Sequence, residues 1–451
     1  MTSISTQPAD PWTIDVGRWP DVARAAGSAA RAAVARAVFT AAVARLPLRV
    51  KLSDGHPRRH QVPGHQIPDH QVPGHQILGA GGPAAPVMIL HRPRDFYRRV
   101  GASGLIGFGE SYMAGDWDCA DLTGLLTVFA AHVDELVPPW LQRLRGLAVR
   151  RQPPDDLQTV KGARRNIGRH YDLSNDLFAL FLDETMTYSS ALFQTGPDGA
   201  PVAVPGEALP AEVLLAEAQH RKIDRLLDQA GVGRGGRVLE IGTGWGELAI
   251  RAARRGATVR TITISREQQA LAARRVAEAG LASQVSVELR DYRDVDGRFD
   301  AICSVEMLEA VGERYWDGYF AALDRCLAPG GRIGLQTITM AHDRMLATRD
   351  TYTWIQKYIF PGGLLPSVTA IQDSLARTTL RITGREDVGA HYAETLRIWR
   401  ERFGARADEV ARLGFDEVFN RMWTFYLCYS EAGFRAGYID VSQLTLARTP
   451  L

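Results

Sequence analysis

The chain has 451 residues, of which 45% are hydrophobic and 23% are charged. This composition is ordinary for a globular protein, and the length leaves room for two or three domains with a large core. The formal net charge is only +2, so the chain carries no global positive field that would hold a nucleic acid or another polyanion.

The cysteines are scattered along the chain without C-x-x-C spacing. They are Cys119, Cys303, Cys326 and Cys428. This pattern argues against a disulfide framework and against a metal site, and it favours a reducing, cytoplasmic location. No apolar run reaches the length of a membrane span, and the N-terminus lacks the basic and then apolar pattern of a signal peptide.

The first segment, residues 1–20, has the composition of a disordered terminus. The next segment, from Asp21 to Leu46, is rich in alanine and arginine, which predicts a helix. Such a helix either packs on the surface of an N-terminal domain or lies as a basic amphipathic helix on anionic lipid. We favour the first interpretation, because most of the apolar residues are small alanines.

A five-residue repeat that begins with His-Gln follows a predicted strand from Leu48 to Asp54. Its histidines are His60, His65, His70 and His75. Even spacing suggests a metal site, but each complete repeat also contains Pro with Gly or Asp, which favours an extended loop over residues 56–80. We therefore expect a loop between two strands, with Val87 to Leu90 as the returning strand.

The segment from Gly104 to Leu122 is dense in glycine and aromatic residues, and an apolar helix through His132 follows it. Gly146 to Asp156 is basic and contains proline, as linkers often are. The sequence therefore predicts a smaller α+β domain over residues 21–150 and a second domain over residues 157–451.

The second domain begins with the sequence HYDLSND, followed by MTYSS at Met186 to Ser190. Helical periodicity accounts for the aromatic residues here, which then simply pack a helix. It does not account for the polar cluster, nor for the turn at Tyr188-Ser189-Ser190. The polar cluster consists of His170, Asp172, Ser174 and Asn175.

A glycine-rich turn follows the apolar strand from Val238 to Ile241, and a helical pattern follows the turn. Its glycines, Gly242, Gly244 and Gly246, let a ligand approach the backbone, although plain tight loops carry similar spacings. Glu240 stands at the carboxyl end of the strand, and no Lys-Ser/Thr pair follows as in a phosphate-binding loop. This pattern resembles motif I of S-adenosylmethionine methyltransferases more than a phosphate-binding loop. A ligand with a positively charged sulfonium and amino group suits the acidic end of the strand, whereas a pyrophosphate does not.

Strands and helices alternate after this turn, which predicts a doubly wound parallel sheet. The helix that precedes the turn is predicted over Ala211–Gln229, and a later helix over Tyr315–Leu327. Ser265 and Gln268 form a capping-box pattern at the helix after the second strand. The further strands are predicted at Val259–Ile264, Val285–Leu289, Phe299–Val305 and Ile333–Thr339.

Two aromatic-rich segments interrupt or follow the alternation. The first runs from Tyr352 to Pro366, and the second is helical and begins at His391. So many large apolar side chains indicate either an apolar lid or tunnel over the edge of the sheet or ordinary core packing.

The motifs HYDLSND, MTYS, EIGTGWG, TISREQ, DYRD, EMLEAVG, YIFPGG and EAGFRAGYID together resemble those of the cyclopropane-fatty-acyl-phospholipid synthase family, which includes the mycolic acid cyclopropane synthases. The resemblance extends from the Gly104–Leu122 segment to the C-terminus. It implies a seven-stranded Rossmann-like methyltransferase sheet with a helical lid, behind a smaller N-terminal domain. It also implies a phospholipid substrate with a cis-unsaturated acyl chain, and a cytoplasmic enzyme at the inner face of the membrane.

The resemblance assigns roles to individual residues. Besides Glu240 and Gly246 of the glycine motif, the implied cofactor contacts are Tyr188, Ser189, Gly242, Gly244, Thr263, Gln268, Asp291 and Tyr292. The family holds a bicarbonate ion in its catalytic centre. The positions that support this ion correspond here to Ser190, Glu309, Gln336, Ile338 and Tyr392.

Three positions depart from the family pattern: Ser190 replaces a cysteine, Gln336 replaces a histidine, and Glu306 replaces a small glycine. Glu306 lies three residues before Glu309, so on one helical turn the two carboxylates would share a face and raise one pKa. We hypothesise that the Glu306 carboxylate replaces or repositions the bicarbonate as anion and base. Alternatively, Glu306 pairs with an arginine or caps the turn.

Glu306 and the sequence LQTIT also resemble an actinobacterial subgroup that makes a methylene-branched chain, the precursor of 10-methyl acids such as tuberculostearic acid. Cyclopropane formation is the alternative outcome. A methylene product would need a separate reductase, because the chain shows no second dinucleotide motif.

Other classes of function remain open from the sequence. Relatives of the family methylate small amines, and the absent cysteine and histidine would also suit a lapsed enzyme that only binds S-adenosylmethionine or lipid. Nucleic-acid methylation is the least supported, since the chain has no basic tract. A homo-oligomer is compatible with the sequence.

Overall fold

The structure of the chain is a computed structural model. It describes residues 14–53, 74–133, 174–196, 201–202 and 211–448. None of the helices within these ranges combines the length and the hydrophobicity that crossing a membrane requires.

The chain divides into two compact units. The first consists of Met1–Arg143 and Gly414–Phe425, and the second of Leu144–Leu413 and Tyr426–Leu451. The division therefore falls a few residues before the linker expected at Gly146–Asp156, which itself lies outside the described residues. The sequence pattern does not predict that residues 414–425 belong to the first unit.

The first unit contains a four-stranded sheet in the order β2-β1-β3-β4 and the helices that connect its strands. Its elements are α1 (Pro20–Ala23), α2 (Ala29–Val43), β1 (Arg49–Ser53), β2 (Gly74–Leu78), β3 (Val87–Leu90), α3 (Pro93–Ser103), α4 (Leu105–Met113), β4 (Trp117–Cys119) and α5 (Leu122–Ala131).

The N-terminal segment differs from its prediction. Residues 14–20 belong to the described part, in which the indole nitrogen of Trp19 donates to the carboxylate of Asp416 at 2.7 Å. The disorder expected for residues 1–20 stays a prediction, and residues 1–13 lie outside the described part. The single helix predicted from Asp21 is interrupted by Gly27, whose φ of +121° suits only glycine. Ser28 then caps α2.

The strand that returns beside β1 is β2, which pairs with it antiparallel and contains the last histidine of the repeat. The expected returning strand, Val87 to Leu90, does form as β3, but it runs parallel to β1. The expectation is therefore wrong in topology, since strand β2 lies within residues 56–80, where a loop is expected. His60, His65 and His70 lie outside the described residues.

The second unit is an α/β unit. Its elements, with helix α17 beginning in the first unit, are α6 (Asn175–Phe181), β5 (Gln194–Thr195), β6 (Pro201–Val202), α7 (Ala211–Gln229), β7 (Arg237–Ile241), α8 (Glu247–Arg254), β8 (Thr258–Thr263), α9 (Arg266–Glu278), β9 (Val285–Leu289), β10 (Phe299–Val305), α10 (Leu308–Val311), α11 (Trp316–Cys326), β11 (Leu327–Met340), α12 (His342–Thr348), α13 (Trp354–Tyr358), α14 (Val368–Leu375), β12 (Leu380–Asp387), α15 (Gly389–Ala405), α16 (Ala407–Arg412), α17 (Glu417–Arg435) and β13 (Ile439–Arg448).

The main sheet has seven strands in the order β12-β13-β11-β10-β7-β8-β9, which confirms the predicted seven-stranded methyltransferase sheet. The strands from β11 to β9 in this order pair in parallel. β13 runs antiparallel to both of its neighbours, so the parallel sheet expected from the strand–helix alternation is extended at this edge by an antiparallel strand. The sequence pattern indicated neither β12 nor β13.

Two hydrophobic clusters cover the sheet. One includes Phe320 and Leu323 of α11, and the other includes Leu226 of α7 and Leu248 of α8. The middle strand β7 has β8 on one side and β10 on the other. The strands after β7 are therefore added first on one side of it and then on the other. In open α/β sheets, ligands bind at the carboxyl ends of the strands at such a switch point.

Candidate active site

The glycine turn after β7 has a backbone that only glycine adopts without strain. Gly242, Gly244 and Gly246 have φ angles of +96°, +52° and +93°. A Cβ atom on Gly242 would lie 2.6 Å from the Cγ atom of Met307. Gly246 packs helix α8 against Ala272 of α9, where an added Cβ would lie 3.2 Å from the Ala272 Cβ. The turn is therefore more than a plain loop, since its glycines allow close approach to the backbone.

A cavity opens above this turn. Nine of the ten residues expected to bind the cofactor line it, and Gly246 does not. The nine are Tyr188, Ser189, Glu240, Gly242, Gly244, Thr263, Gln268, Asp291 and Tyr292. Glu306 also lines the cavity, whereas Ser190, Glu309, Gln336, Ile338 and Tyr392 do not.

Glu240 stands at the carboxyl end of β7 and is 3% exposed. Burial raises the pKa of its carboxyl group to about 8, against the opposing effects of the Thr261 hydroxyl and the Lys222 charge. One carboxyl oxygen has no hydrogen-bond partner among the described residues. A buried carboxyl group with an unsatisfied oxygen at the cavity suits a ligand with a positively charged amino group, such as S-adenosylmethionine, because that charge favours the ionised form of the carboxyl group.

The ends of β8 and β9 supply further lining residues. Ser265 caps α9 by accepting from the backbone nitrogen of Gln268, which confirms the predicted cap. The side-chain oxygen of Gln268 accepts from the Thr263 hydroxyl at 2.8 Å rather than from the Ser265 backbone. Asp291 accepts two bonds of 2.7 Å from the guanidinium of Arg293. The lining polar groups are thus held in place before any ligand binds.

Glu306 follows β10 directly, at the strand end next to the glycine turn. Its φ is +50°, which places a non-glycine residue in the left-handed region at a cost of roughly 1–2 kcal/mol. The predicted geometry, with Glu306 and Glu309 on one helical turn, is wrong, because helix α10 begins only at Leu308. A strained conformation of this kind persists when the surrounding structure holds it, and it often marks a functional residue.

Three donors hold the Glu306 carboxylate. One oxygen accepts from the backbone nitrogen of Ser190 at 3.0 Å and from the amide of Gln336 at 2.9 Å. The other accepts from the Tyr392 hydroxyl at 2.8 Å. Burial raises the pKa of Glu306, while these donors and the charge of Lys222 act to lower it. Ser190, Gln336 and Tyr392, which are predicted site residues, therefore meet at Glu306. Among the described residues, Glu306 neither pairs with an arginine nor serves only as a cap.

The orientation of the Gln336 amide is fixed from the neighbouring strand. Gln443 of β13 lies opposite Gln336 in the register and donates to its side-chain oxygen at 2.9 Å. The nitrogen of Gln336 must then face Glu306, since an amide has one oxygen and one nitrogen. Gln443 is a site residue that the sequence did not reveal, because its strand was not predicted.

Glu309 lies beside this group. One of its oxygens accepts from the Thr337 hydroxyl at 2.9 Å and from the backbone nitrogen of Ile338. Burial, and next the charge of Glu306, raise the pKa of Glu309 to about 8. Its other oxygen has no hydrogen-bond partner in the described part of the chain. The charge of Glu306 therefore raises the pKa of Glu309, as the sequence predicts, although the two carboxylates do not share a helical face.

Aromatic side chains surround this region of the second unit. The Tyr188 ring stacks on Trp399 at a centroid distance of 5.2 Å, and its hydroxyl lies 2.7 Å from that of Tyr426. The Tyr392 ring packs on Phe434 at 4.7 Å. The C-terminal helices thus use their aromatic residues to pack against the site, as the alternative of core packing expects, and the lid stays a prediction.

Lys222 is a second residue that sequence reasoning missed. It is 1% exposed, lines the cavity, and donates from its ammonium group to the Ser189 hydroxyl oxygen at 2.7 Å. Burial lowers its pKa to about 8, while the charges of Glu306, Asp183 and Glu240 oppose this shift. A signal existed, because Lys222 occupies the buried face of the amphipathic helix α7.

The polar cluster of HYDLSND is only partly described. Ser174 caps α6, and Asn175 accepts from the indole nitrogen of Trp245 at 2.8 Å. His170 and Asp172 lie outside the described residues. Within those residues, no three His, Cys, Asp or Glu side chains are arranged to hold a metal ion.

Comparison with known proteins is consistent with this arrangement. Residues 158–444 match the family model for mycolic acid cyclopropane synthetase. The chain is 53% identical over 450 residues to the tuberculostearic acid methyltransferase UfaA1 of Mycobacterium tuberculosis, and the match covers 99% of both chains. It is 36% identical over 367 residues to the cyclopropane-fatty-acyl-phospholipid synthase of Escherichia coli K12, covering 81% of this chain and 89% of the relative.

Solved structures of cyclopropane synthases support the same family. The cyclopropane synthase MmaA2 of Mycobacterium tuberculosis superposes with a TM-score of 0.56 and 31% identity, covering 63% of this chain and 98% of that one. The mycolic acid cyclopropane synthase CmaA1, in complex with S-adenosylhomocysteine, has a TM-score of 0.55 and 31% identity, covering 63% and 97%. The chain is an S-adenosylmethionine-dependent methyltransferase and belongs to the mycolic acid cyclopropane synthetase family.

Proposed function

We propose that the chain methylates the cis double bond of an unsaturated, oleoyl-type phospholipid acyl chain and releases a 10-methylene acyl product. The observation that carries this proposal is the Glu306 carboxylate, which is held by three donors and lines the cavity. The 53% identity to a tuberculostearic acid methyltransferase supports the same product class. Cyclopropane formation is the alternative product.

The reaction begins with a poor nucleophile. S-adenosylmethionine supplies an electrophilic methyl group when it is bound. The π electrons of the alkene form a bond to this carbon while the carbon–sulfur bond breaks, and the neighbouring alkene carbon is left as a cation. A buried carboxylate stabilises such a cation, and a buried site keeps water away from it.

The two products differ in the steps after the cation forms. A hydride shift from the methylated carbon to the cationic carbon moves the charge to the methylated carbon. Loss of a proton from the methyl group then gives the methylene branch. Loss of the same kind of proton without the hydride shift closes a cyclopropane ring. The position of the base relative to the methyl group therefore decides the outcome.

We assign the base to Glu306. Its raised pKa makes it a better proton acceptor than an exposed carboxylate. Glu306 accepts from three donors, which stabilise its ionised form, whereas one oxygen of Glu309 has no hydrogen-bond partner among the described residues and burial raises the pKa of Glu309 to about 8. We therefore assign the negative charge of the pair to Glu306. Tyr392 remains a neutral donor, because burial raises its pKa well above the usual value.

This assignment gives Glu306 the role that bicarbonate has in the family. In a relative with glycine at this position, a free anion would occupy the space next to the donors. Here a side chain supplies the carboxylate, and it accepts from three of the five residues at positions expected to support the ion. We therefore propose that the wild-type chain needs no bicarbonate, and that a separate reductase converts the methylene product into a methyl branch.

We further propose that the protein works at the inner face of a membrane, where its substrate resides. Helix α2 supports this proposal, because it contains no acidic residue and exposes Arg31, Arg36 and Val34, the last of which is 58% exposed. Exposed arginines without acidic neighbours on the same helix suit an anionic lipid surface. This interpretation is the lipid-binding alternative considered from the sequence.

The product is tested by expression in a cyclopropane-deficient bacterium fed oleate deuterated at C9 and C10. Mass spectrometry of the fatty acids should reveal a methylene-octadecanoate with both deuterium atoms on C9, as the hydride shift requires. A cyclopropane acid with one deuterium on each ring carbon would contradict the product while leaving the family intact. No new acid, with cofactor binding preserved, would contradict the lipid substrate and favour a small amine.

A further inference from the structure

Lys222 is an unusual residue for the buried face of α7. Its neighbours on that face, Ala218, Ile223 and Leu226, are almost completely buried. A lysine in such a position loses the hydration of its charge, and this loss must be offset by partners. One partner is visible, since the ammonium group donates to the Ser189 hydroxyl oxygen at 2.7 Å.

The direction of this hydrogen bond has a consequence for Ser189. A protonated lysine has no acceptor, so the Ser189 oxygen must accept. The hydroxyl hydrogen of Ser189 is then available to another acceptor. The backbone of Ser189 is also fixed, because its carbonyl oxygen accepts from the Gln219 amide at 2.9 Å. Ser189 lines the cavity, so it can serve there as an oriented donor.

The basic residues of the cavity indicate which kind of ligand group the Ser189 hydroxyl binds. Among the residues that the structure describes, three basic ones line the cavity: Lys222, Arg290 and Arg293. Arg293 is paired with Asp291, and Arg290 with Glu288 and Asp296. Lys222 forms no ion pair within 4.0 Å in the part of the chain that the structure describes. The Lys222 ammonium group, next to the oriented hydroxyl of Ser189, therefore suits a carboxylate ligand.

The cofactor carries one carboxylate and one amino group on its methionyl part. Glu240, with an unsatisfied oxygen, suits the amino group. We propose that Lys222 is a positioning residue that presents the Ser189 hydroxyl as a donor to the carboxylate of the cofactor. Lys222 and Glu240 thus divide the recognition of the two charged groups of an amino acid. This inference rests on the cofactor binding in this cavity, and it is independent of the lipid product.

Calorimetry with two probes tests the proposal. S-adenosylhomocysteine has the complete amino-acid part, whereas S-adenosyl-3-thiopropylamine lacks only the carboxylate. In Lys222→Met, affinity for the first probe should fall about 10- to 100-fold, the usual range for losing a charge-assisted hydrogen bond. Affinity for the second probe should change about twofold or less. A merely structural lysine would weaken both probes equally, and that result would overturn the proposal.

Ser189→Ala provides a second variant that removes one atom and leaves the lysine in place. It should show the same selective loss, and the double variant should lose little more than either single variant. Additive losses, or equal weakening of both probes by Ser189→Ala, would contradict the proposal even if Lys222→Met failed to fold. Lack of binding of S-adenosylhomocysteine to the wild-type chain would overturn the cofactor placement, whatever lipid product the cells make.

Discussion

The hydroxyl of Tyr392 donates to the carboxylate of Glu306 at 2.8 Å, although 86 residues separate them in the chain. This bond connects helix α15 with the end of strand β10. It stabilises the ionised form of Glu306, together with the donors from Ser190 and Gln336. The reactivity of Glu306 therefore depends on residues from several distant segments, and this dependence can be measured.

Tyr392→Phe should lower activity by about 10- to 100-fold at neutral pH, because one charge-assisted donor is lost. Removing a donor to the ionised form raises the pKa of Glu306 further, so the acidic limb of the pH–rate profile should move to higher pH. The profile of kcat against pH checks this. Phe434→Leu, which alters packing next to Tyr392 but leaves the hydroxyl, is the matched control. An unshifted limb in Tyr392→Phe would contradict the role of the bond.

Glu309→Gln tests which carboxylate carries the charge. Since Glu309 is mostly protonated at pH 7, its neutral isostere should retain activity within about threefold there, a difference of less than 1 kcal/mol. Glu306→Gln should lose at least about 100-fold, because the base is removed. The reverse order of the two effects would assign the base to Glu309 instead.

The raised pKa of Glu309 also predicts how stability depends on pH. Between its ordinary value of 4.5 and about 8, the folded state holds a proton that the unfolded state has lost. This contribution to the free energy of unfolding is present at low pH and is lost as the pH rises through about 8. Glu309→Gln removes it, so the variant should gain stability relative to the wild type from pH 6 to pH 9. Thermal unfolding across this range, with no such relative gain, would contradict the assignment.

Gln443→Met tests the indirect control of Gln336. The variant keeps the volume of the side chain but loses the donor that orients the Gln336 amide. Activity should fall by about threefold to tenfold, as for one neutral hydrogen bond, while the affinity for S-adenosylhomocysteine stays unchanged. Thr445→Val, on the same strand, is the control. Equal losses in both variants would indicate a general effect on the strand.

Membrane binding is tested with Arg31→Glu combined with Arg36→Glu. This change places acidic residues on the exposed side of α2, so sedimentation with phosphatidylglycerol vesicles should fall by about tenfold or more, at about 1 kcal/mol per basic residue. Binding to phosphatidylcholine vesicles should change little. Arg381→Glu, on strand β12 of the second unit, serves as a charge control. Unchanged binding to anionic vesicles would contradict the role of α2.

Much of the cofactor site could be predicted from the sequence because it follows local patterns. The glycine turn, the cap at Ser265 and the strands before them depend on residues close in the chain, and the structure agrees to within one or two residues. Resemblance to a family then placed Ser190, Gln336 and Tyr392 near the reaction centre, and the structure brings all three to Glu306.

The features that the sequence does not predict depend on contacts between residues that are distant in the chain. Strand β13 runs antiparallel and follows an aromatic helix, so no strand–helix alternation marks it, and Gln443 was missed with it. Lys222 lies on the buried face that the pattern of helix α7 indicates, but its partner, the Ser189 hydroxyl, is 33 residues away in the chain, and the helix alone does not reveal this contact. The expected helical geometry of Glu306 and Glu309 is wrong, because Glu306 adopts a left-handed backbone conformation before the helix begins.

The most direct measurement concerns the claim that Glu306 replaces bicarbonate. Methyl transfer to oleoyl phospholipid is assayed in bicarbonate-free buffer and again after bicarbonate is added, for the wild type and for Glu306→Gly. The wild type should be equally active in both buffers, and Glu306→Gly should be inactive until bicarbonate occupies the vacated space. A wild type that requires bicarbonate, together with an active Glu306→Gln, would contradict the account.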